Sequence, residues 1–203
     1  MNKRGLLIVL SGPSGVGKGT VLRSYLEKNP NTRLSVSATT RQPRMGEVNG
    51  VHYYFLTEKE FEKKVEQNEM LEYATYSGNR YGTPGGPVKE MLEDGHDVIL
   101  EIEVQGAMQI KKSCPDAIFI FIMPPNMAEL THRLVDRKTE DDETIRRRLE
   151  RSHAEIAMAH EYDYVVINDT IDNALEKLEA IVCAQKCSMS HMKEFVEEVL
   201  EDA

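Results

Sequence analysis

The segment Leu6–Thr20, LLIVLSGPSGVGKGT, constrains the fold more tightly than any other stretch of the chain. An apolar run, Leu6–Leu10, enters a glycine-rich turn, and Lys18–Lys28 then carries a helical pattern. Strand, glycine turn and helix in that order form a phosphate-binding loop, because backbone N–H groups at a helix start surround anionic oxygens and a lysine adds charge. Gly12, Gly17 and Lys18 fit the pattern G-x-x-x-x-G-K-[ST], but Gly19 stands where a hydroxyl is expected and the first hydroxyl is Thr20. Gly12, Pro13, Ser14, Gly15, Val16, Gly17, Lys18, Gly19 and Thr20 are therefore the candidate phosphate cradle.

The rest of the chain supports an α/β reading. Strands are expected at Val98–Glu103, Ala117–Met123 and Tyr164–Ile167, and helices at Gln105–Ser113, Asn126–Asp136 and Asp141–Ala159. Such alternation predicts a mainly parallel sheet. Residues 35–95 break it: alternating segments are interrupted by Pro43, Gly46 and Asn49-Gly50, and a helix over Glu58–Gln67 opens on Thr57 and Glu60 in capping-box spacing. The stretch YSGNRYGTPGGP then reads as loop, so this region is expected to be a small α+β insertion.

At 203 residues the chain is the size of one domain, and its net charge of −9 argues against a polymeric nucleic-acid partner. A small phosphorylated ligand needs only a local basic cluster, so it remains compatible. The short apolar run cannot span a bilayer. Cys114, Cys183 and Cys187, an odd set behind no secretion signal, read as reduced structural thiols in a cytoplasm. They make no zinc spacing, and the histidines form no triad. The tail after about Gln185 fits either an added amphipathic helix or a self-association contact.

GKGT in place of GK[ST] is a form associated with nucleoside monophosphate kinases, and the next segment, SVSATTRQPRMGEVNGVHYYF, closely resembles the guanylate kinase signature. Further matches run through LEYATYSGNRYGTP, VILEIEVQGA, LVDRKTEDDETIRRRLERSHAEI and YDYVVINDT, covering nearly all of residues 5–185. The resemblance implies a P-loop kinase with a three-layer α/β/α core, a GMP-binding insertion and a helical lid. The parts would fall at 1–34 (core with P-loop), 35–95 (insertion), 96–132 (core), 133–155 (lid) and 156–203 (core and C-terminal helix). It implies Mg²⁺-dependent transfer from ATP to GMP, and to dGMP by extension, with ATP held by the loop residues 12–20 and by Asn168 near the adenine.

The GMP phosphate falls to Arg41, Arg44, Tyr53 and Tyr81, and the paired arginines suit a dianion. Guanine offers adjacent donors, N1–H and an exocyclic amine, whereas adenine offers an N1 acceptor; a carboxylate fits the first and repels the second. Glu72 matches that carboxylate, with Ser37 and Thr83 as hydroxyls near the base. Strand alternation puts Glu101 and Glu103 on one face, as GMP contacts or as ligands to Mg²⁺ through water, a role Thr20 could share. Glu103 stands where the family usually has aspartate. Lid arginines would be Arg133, Arg137 and Arg148, which join Lys18 and Arg41 as the catalytic cations; the usual R-G-T is Arg137-Lys138-Thr139. A binding module of this fold that has lost catalysis would tend to have an eroded loop, unlike this one, and a kinase for AMP is disfavoured by Glu72 with Ser37 and Thr83.

Overall fold

The computed structural model describes residues 4–76, 78–135 and 142–201. Its main sheet contains β1 (Leu7–Ser11), β2 (Thr32–Leu34), β7 (Asp97–Glu101), β8 (Ile118–Met123) and β9 (Tyr164–Ile167), in the order β2-β7-β1-β8-β9 with every pairing parallel. Parallel strands need covered crossovers, and helices supply them on both faces. They are α1 (Lys18–Lys28), α3 (Gly85–Glu93), α4 (Val104–Ser113), α5 (Met127–Val135), α6 (Asp142–Ala157) and α7 (Ile171–Lys186), followed by α8 (Met189–Glu201).

The sequence IFIFIM of β8 shows how the layers close. Side chains alternate across a strand, so Ile118, Ile120 and Ile122 join Ile8 and Leu10 against Val21, Leu22 and Tyr25 of α1 and Leu175, Leu178 and Val182 of α7. Phe119 and Phe121 point the other way, with Val9, Val98 and Leu100, onto Val88 and Leu92 of α3 and Ala107 and Ile110 of α4. This is the three-layer α/β/α arrangement that the resemblance implies.

The insertion forms a second sheet, ordered β4-β3-β6-β5, from β3 (Ala38–Thr39), β4 (Tyr54–Phe55), β5 (Met70–Tyr76) and β6 (Asn79–Pro84). Helix α2 (Glu58–Glu66) starts on the expected capping box, with Thr57 and Glu60 each bonded to the other's backbone N–H. The loop expected over YSGNRYGTPGGP is corrected: β6 runs through its middle and α3 begins at its end. Pairing with β3 on one side and β5 on the other holds this glycine-containing strand, a long-range effect that local composition does not report. The strand expected over Val98–Glu103 ends at Glu101 instead.

Candidate active site

Ligands of open parallel sheets bind beyond the carboxyl ends of the strands, and there β1 runs into the glycine loop. Gly15 and Gly17 take φ of 84° and 94°, left-handed values that side chains resist. A Cβ on Gly17 would also stand 2.6 Å from Asn168 Nδ2. Lys18 Nζ donates to the carbonyls of Gly12 and Pro13, folding its charge over the loop. Burial lowers the pKa of Lys18, opposed by Glu103, Glu101 and Glu155. From behind, Asn168 Nδ2 donates to the Val16 carbonyl at 2.7 Å, and Arg133 donates to that same carbonyl and to the Asn168 carbonyl, each at 3.1 Å. Gly19 and Thr20 are exposed, and a Cβ on Gly19 would meet nothing within 4 Å.

Beside the loop, Glu101 ends β7 and Glu103 caps the start of α4. Alternation predicts that the two carboxylates share a strand face, and the structure corrects this: the chain leaves the sheet after Glu101 to begin a helix at Val104. Both nevertheless act on Lys18. Glu101 touches solvent, yet enough protein surrounds it for desolvation to raise its pKa, with Lys18 pulling the other way. Arg151 of α6 bonds Glu103 at 2.9 Å and Glu155 at 2.8 Å, and its guanidinium lies 4.4 Å from the ring centroid of Tyr76 on β5. Glu155 is buried and its pKa is raised by desolvation, with Arg151 opposing that rise and Glu103 adding to it.

On the insertion, Arg41 pairs with both oxygens of Glu47 and lies over the rings of Tyr53 and Phe55 at 5.5 and 5.8 Å. Tyr53 and Tyr81 meet edge to face, 6.1 Å between centroids. The Arg44 backbone N–H donates to Glu47 at 2.7 Å, while its side chain is exposed. Deeper in the insertion, Glu72 is 5% exposed and accepts from Thr83 Oγ1 at 2.7 Å. Its pKa is raised by desolvation against that hydrogen bond. Gly106 of α4 gives it room: a Cβ there would stand 2.4 Å from Glu72 Oε2. Ser37 is half-buried beside β3, and its carbonyl accepts from Tyr54 N–H.

A guanylate kinase profile matches residues 4–185. A guanylate kinase of Clostridium perfringens strain SM101 is 47% identical over 201 residues, spanning 99% of this chain and 93% of that one. One from Desulfitobacterium hafniense strain Y51 is 52% identical over 183 residues, 90% and 92% of the two chains. The crystal structure of guanylate kinase from Anaplasma phagocytophilum superposes with a TM-score of 0.77 at 32% identity, covering 97% and 95%. The chain belongs to the guanylate kinase family.

Among residues expected from guanylate kinase motifs, the structure gathers Lys18, Glu101 and Glu103 at the P-loop, and Arg41, Tyr53 and Tyr81 on the insertion. Burial raises the pKa of Tyr53, with Tyr81 adding to the rise, Arg41 opposing it and Glu101 adding a smaller share. Arg133 belongs to α5, whose Leu130 and Leu134 enter the core, and it braces the loop from there. Arg148 stands half-buried on α6, with Arg146 and Arg147 exposed beside it. Arg137, Lys138 and Thr139 lie outside the described residues. Sequence reasoning missed Glu47, Arg151 and Glu155. The first was findable, as an acid three residues beyond Arg44 in a turn; nothing local marks the partners of the other two.

Proposed function

We propose that this chain transfers the γ-phosphoryl group of ATP to GMP, giving ADP and GDP, with ATP on the P-loop and GMP in the insertion. The observation that carries this reading is Lys18, whose Nζ donates to the carbonyls of Gly12 and Pro13 over the glycine loop, with the carboxylates of Glu101 and Glu103 near enough to act on its charge. Glu72, buried beside Thr83, supplies an acceptor pair for the N1–H and amine of guanine.

A phosphate oxygen is already anionic near neutral pH, so the attack needs no general base. The chain's work is to align the GMP oxygen with the γ-phosphorus and to offset charge on the equatorial oxygens. Lys18 leaves the loop carbonyls for phosphate oxygens, and Arg41 and Arg44 with Tyr53 and Tyr81 orient the acceptor. Arg148 and Arg137 would complete the cationic set in this reading, while Arg133 holds the loop carbonyl at Val16. Closure of the insertion over the cleft excludes water and limits ATP hydrolysis.

Hard oxygen donors suit Mg²⁺, and Glu101, Glu103 and Thr20 stand at the mouth of the loop. Among the described residues no three His, Cys, Asp or Glu side chains group so as to hold a metal ion; in this reading Mg²⁺ would be held largely by phosphates and waters. When bound, Mg²⁺ neutralises charge on the β- and γ-phosphates. Among the described residues no helix is long and apolar enough to cross a membrane.

A coupled assay with ATP·Mg²⁺ and each of GMP, dGMP, AMP, UMP and CMP tests the reading. GMP should be phosphorylated with the highest kcat/KM, and dGMP accepted. Equal use of AMP would overturn the assignment of Glu72. Lys18→Ala should cut kcat by about 100-fold or more with the fold intact.

A further inference from the structure

The guanine-reading strand β5 is an edge strand of the insertion sheet, and such an edge leaves backbone groups that need partners. At Tyr73 both find one in a single side chain of the core. Tyr73 N–H donates to Gln109 Oε1 at 3.1 Å, and Gln109 Nε2 donates to the Tyr73 carbonyl at 2.8 Å. A primary amide carries one donor edge and one acceptor edge, so Gln109 pairs with Tyr73 as a peptide group of a neighbouring strand would.

Tyr73 N is bonded to the carbonyl carbon of Glu72. Fixing the Tyr73 N–H therefore holds the plane of that peptide, which contains the Glu72 Cα, and with the pairing of Glu72 to Thr83 on β6 it limits the directions in which the Glu72 side chain leaves the backbone. That carboxylate then points at Gly106, where only a hydrogen leaves space for Oε2. Glu103, Gly106 and Gln109 recur every three residues at the start and along one side of α4. One core helix thus carries an acid beside the P-loop, the space for the base-reading carboxylate and the amide that anchors its strand.

We infer that Gln109 is a positioning residue for guanine selectivity: by pairing with both backbone groups of Tyr73 it sets Glu72 against the N1–H and 2-amino group of the acceptor base. It touches neither substrate. The inference rests on the assignment of Glu72 as the guanine acceptor.

The test compares wild type, Gln109→Ala, Gln109→Glu, Glu72→Gln and the double variant Gln109→Ala/Glu72→Gln. The readouts are kcat and KM for ATP, GMP and inosine monophosphate, which lacks the 2-amino group, with melting temperatures in parallel. Gln109→Ala should raise KM for GMP by about tenfold and lower the preference for GMP over inosine monophosphate by about fivefold. Its kcat and its KM for ATP should stay within about twofold of wild type. Gln109→Glu keeps the acceptor for Tyr73 N–H and loses the donor, so it should fall between the two; it carries the test if the alanine variant does not fold. In the Glu72→Gln background, removing Gln109 should leave the remaining base preference unchanged. An equal loss of preference in both backgrounds, or an unchanged preference in Gln109→Ala and Gln109→Glu, would overturn the inference. Should Glu72→Gln itself leave base preference unchanged, it is the guanine-acceptor assignment that fails, and the inference fails with it.

Discussion

Arg41 and Glu47 form a two-bond pair at 3.0 and 2.9 Å, with side chains only 15% and 17% exposed. The guanidinium expected to receive the GMP phosphate thus already holds an anion. Glu47 also accepts from Arg44 N–H, so a single carboxylate orders the whole turn between the two arginines. A phosphate dianion outcompetes a monoanionic carboxylate for a shared cation, and Arg41 has further donors to offer. Ordering therefore outweighs competition. Glu47→Ala should raise KM for GMP by about tenfold while leaving KM for ATP within about twofold. A lower KM for GMP would show instead that Glu47 obstructs the site.

The same pair makes a pH prediction. The hydrogen bond from Arg41, and then that from Arg44 N–H, hold the Glu47 carboxyl at about 2, down from 4.5. A depressed acid contributes stability above its unfolded value and loses it only as pH falls through the folded one. The pair is thus fully formed between pH 5 and 8. Any change in KM for GMP in that interval comes from other groups, chiefly the nucleotide's own phosphate, which becomes a dianion above about pH 6. Titration of KM from pH 5 to 8 in wild type and Glu47→Gln should give curves of the same midpoint; a midpoint displaced by the substitution would count against this.

Glu72 behaves in the opposite sense. Burial raises its pKa in the folded protein, Thr83 notwithstanding. Between the unfolded and folded values the native state binds the extra proton, so stability falls as pH rises through that window. Glu72→Gln keeps the acceptor for Thr83 Oγ1 and removes the buried charge. The free variant should melt higher than wild type at neutral pH, by about 2–4 °C for each kcal/mol relieved, and the difference should vanish at acid pH. It should also lose preference for GMP over AMP. Calorimetry at pH 4 and pH 7.5 beside the acceptor assay checks both halves, and a lower melting point at pH 7.5 would contradict the first.

How far the sequence shows these relationships depends on their range. The bounds of α1 and the capping box at Thr57 and Glu60 were legible because their signals are local. β6 was not, because its stability comes from strands on either side and because Gly82 serves a close approach: a Cβ there would lie 2.7 Å from the Glu72 carbonyl. The identity of site residues followed from motif resemblance, but their tethers did not. Arg151 and Glu103 are distant in sequence, as are Gln109 and Tyr73, and no periodicity pairs them.

Arg151 joins three parts of the molecule: α6, the start of α4 and β5. Removing it takes from the buried Glu155 the guanidinium bonded to it and leaves Glu103 beside it, with Lys18 still acting on Glu155. The side chain of Arg151 is 42% exposed, so solvent screening moderates the loss, and Arg151→Ala should cost about 1 kcal/mol of stability. Much of that cost falls on the Glu155 carboxylate, so Arg151→Ala/Glu155→Gln should recover most of it. Denaturant titrations of these two variants and of Glu155→Gln decide the matter. Purely additive effects would show that Arg151 acts through Glu103 and Tyr76 rather than through Glu155.

Asn168 poses a choice between reading the adenine and bracing the loop. The residue is 4% exposed and its Nδ2 is committed to the Val16 carbonyl, which Arg133 also holds. That carbonyl precedes Gly17, whose left-handed backbone starts α1 and so aims the loop N–H groups. A brace acts on every triphosphate donor alike, whereas a base contact distinguishes them. Asn168→Ala should therefore raise KM for ATP by about three- to tenfold and raise KM for GTP as donor by the same factor, leaving KM for GMP unchanged. Arg133→Ala should reproduce that equal loss, because it removes the second donor to the same carbonyl. A selective loss of ATP over GTP in Asn168→Ala, not seen in Arg133→Ala, would assign Asn168 to the base.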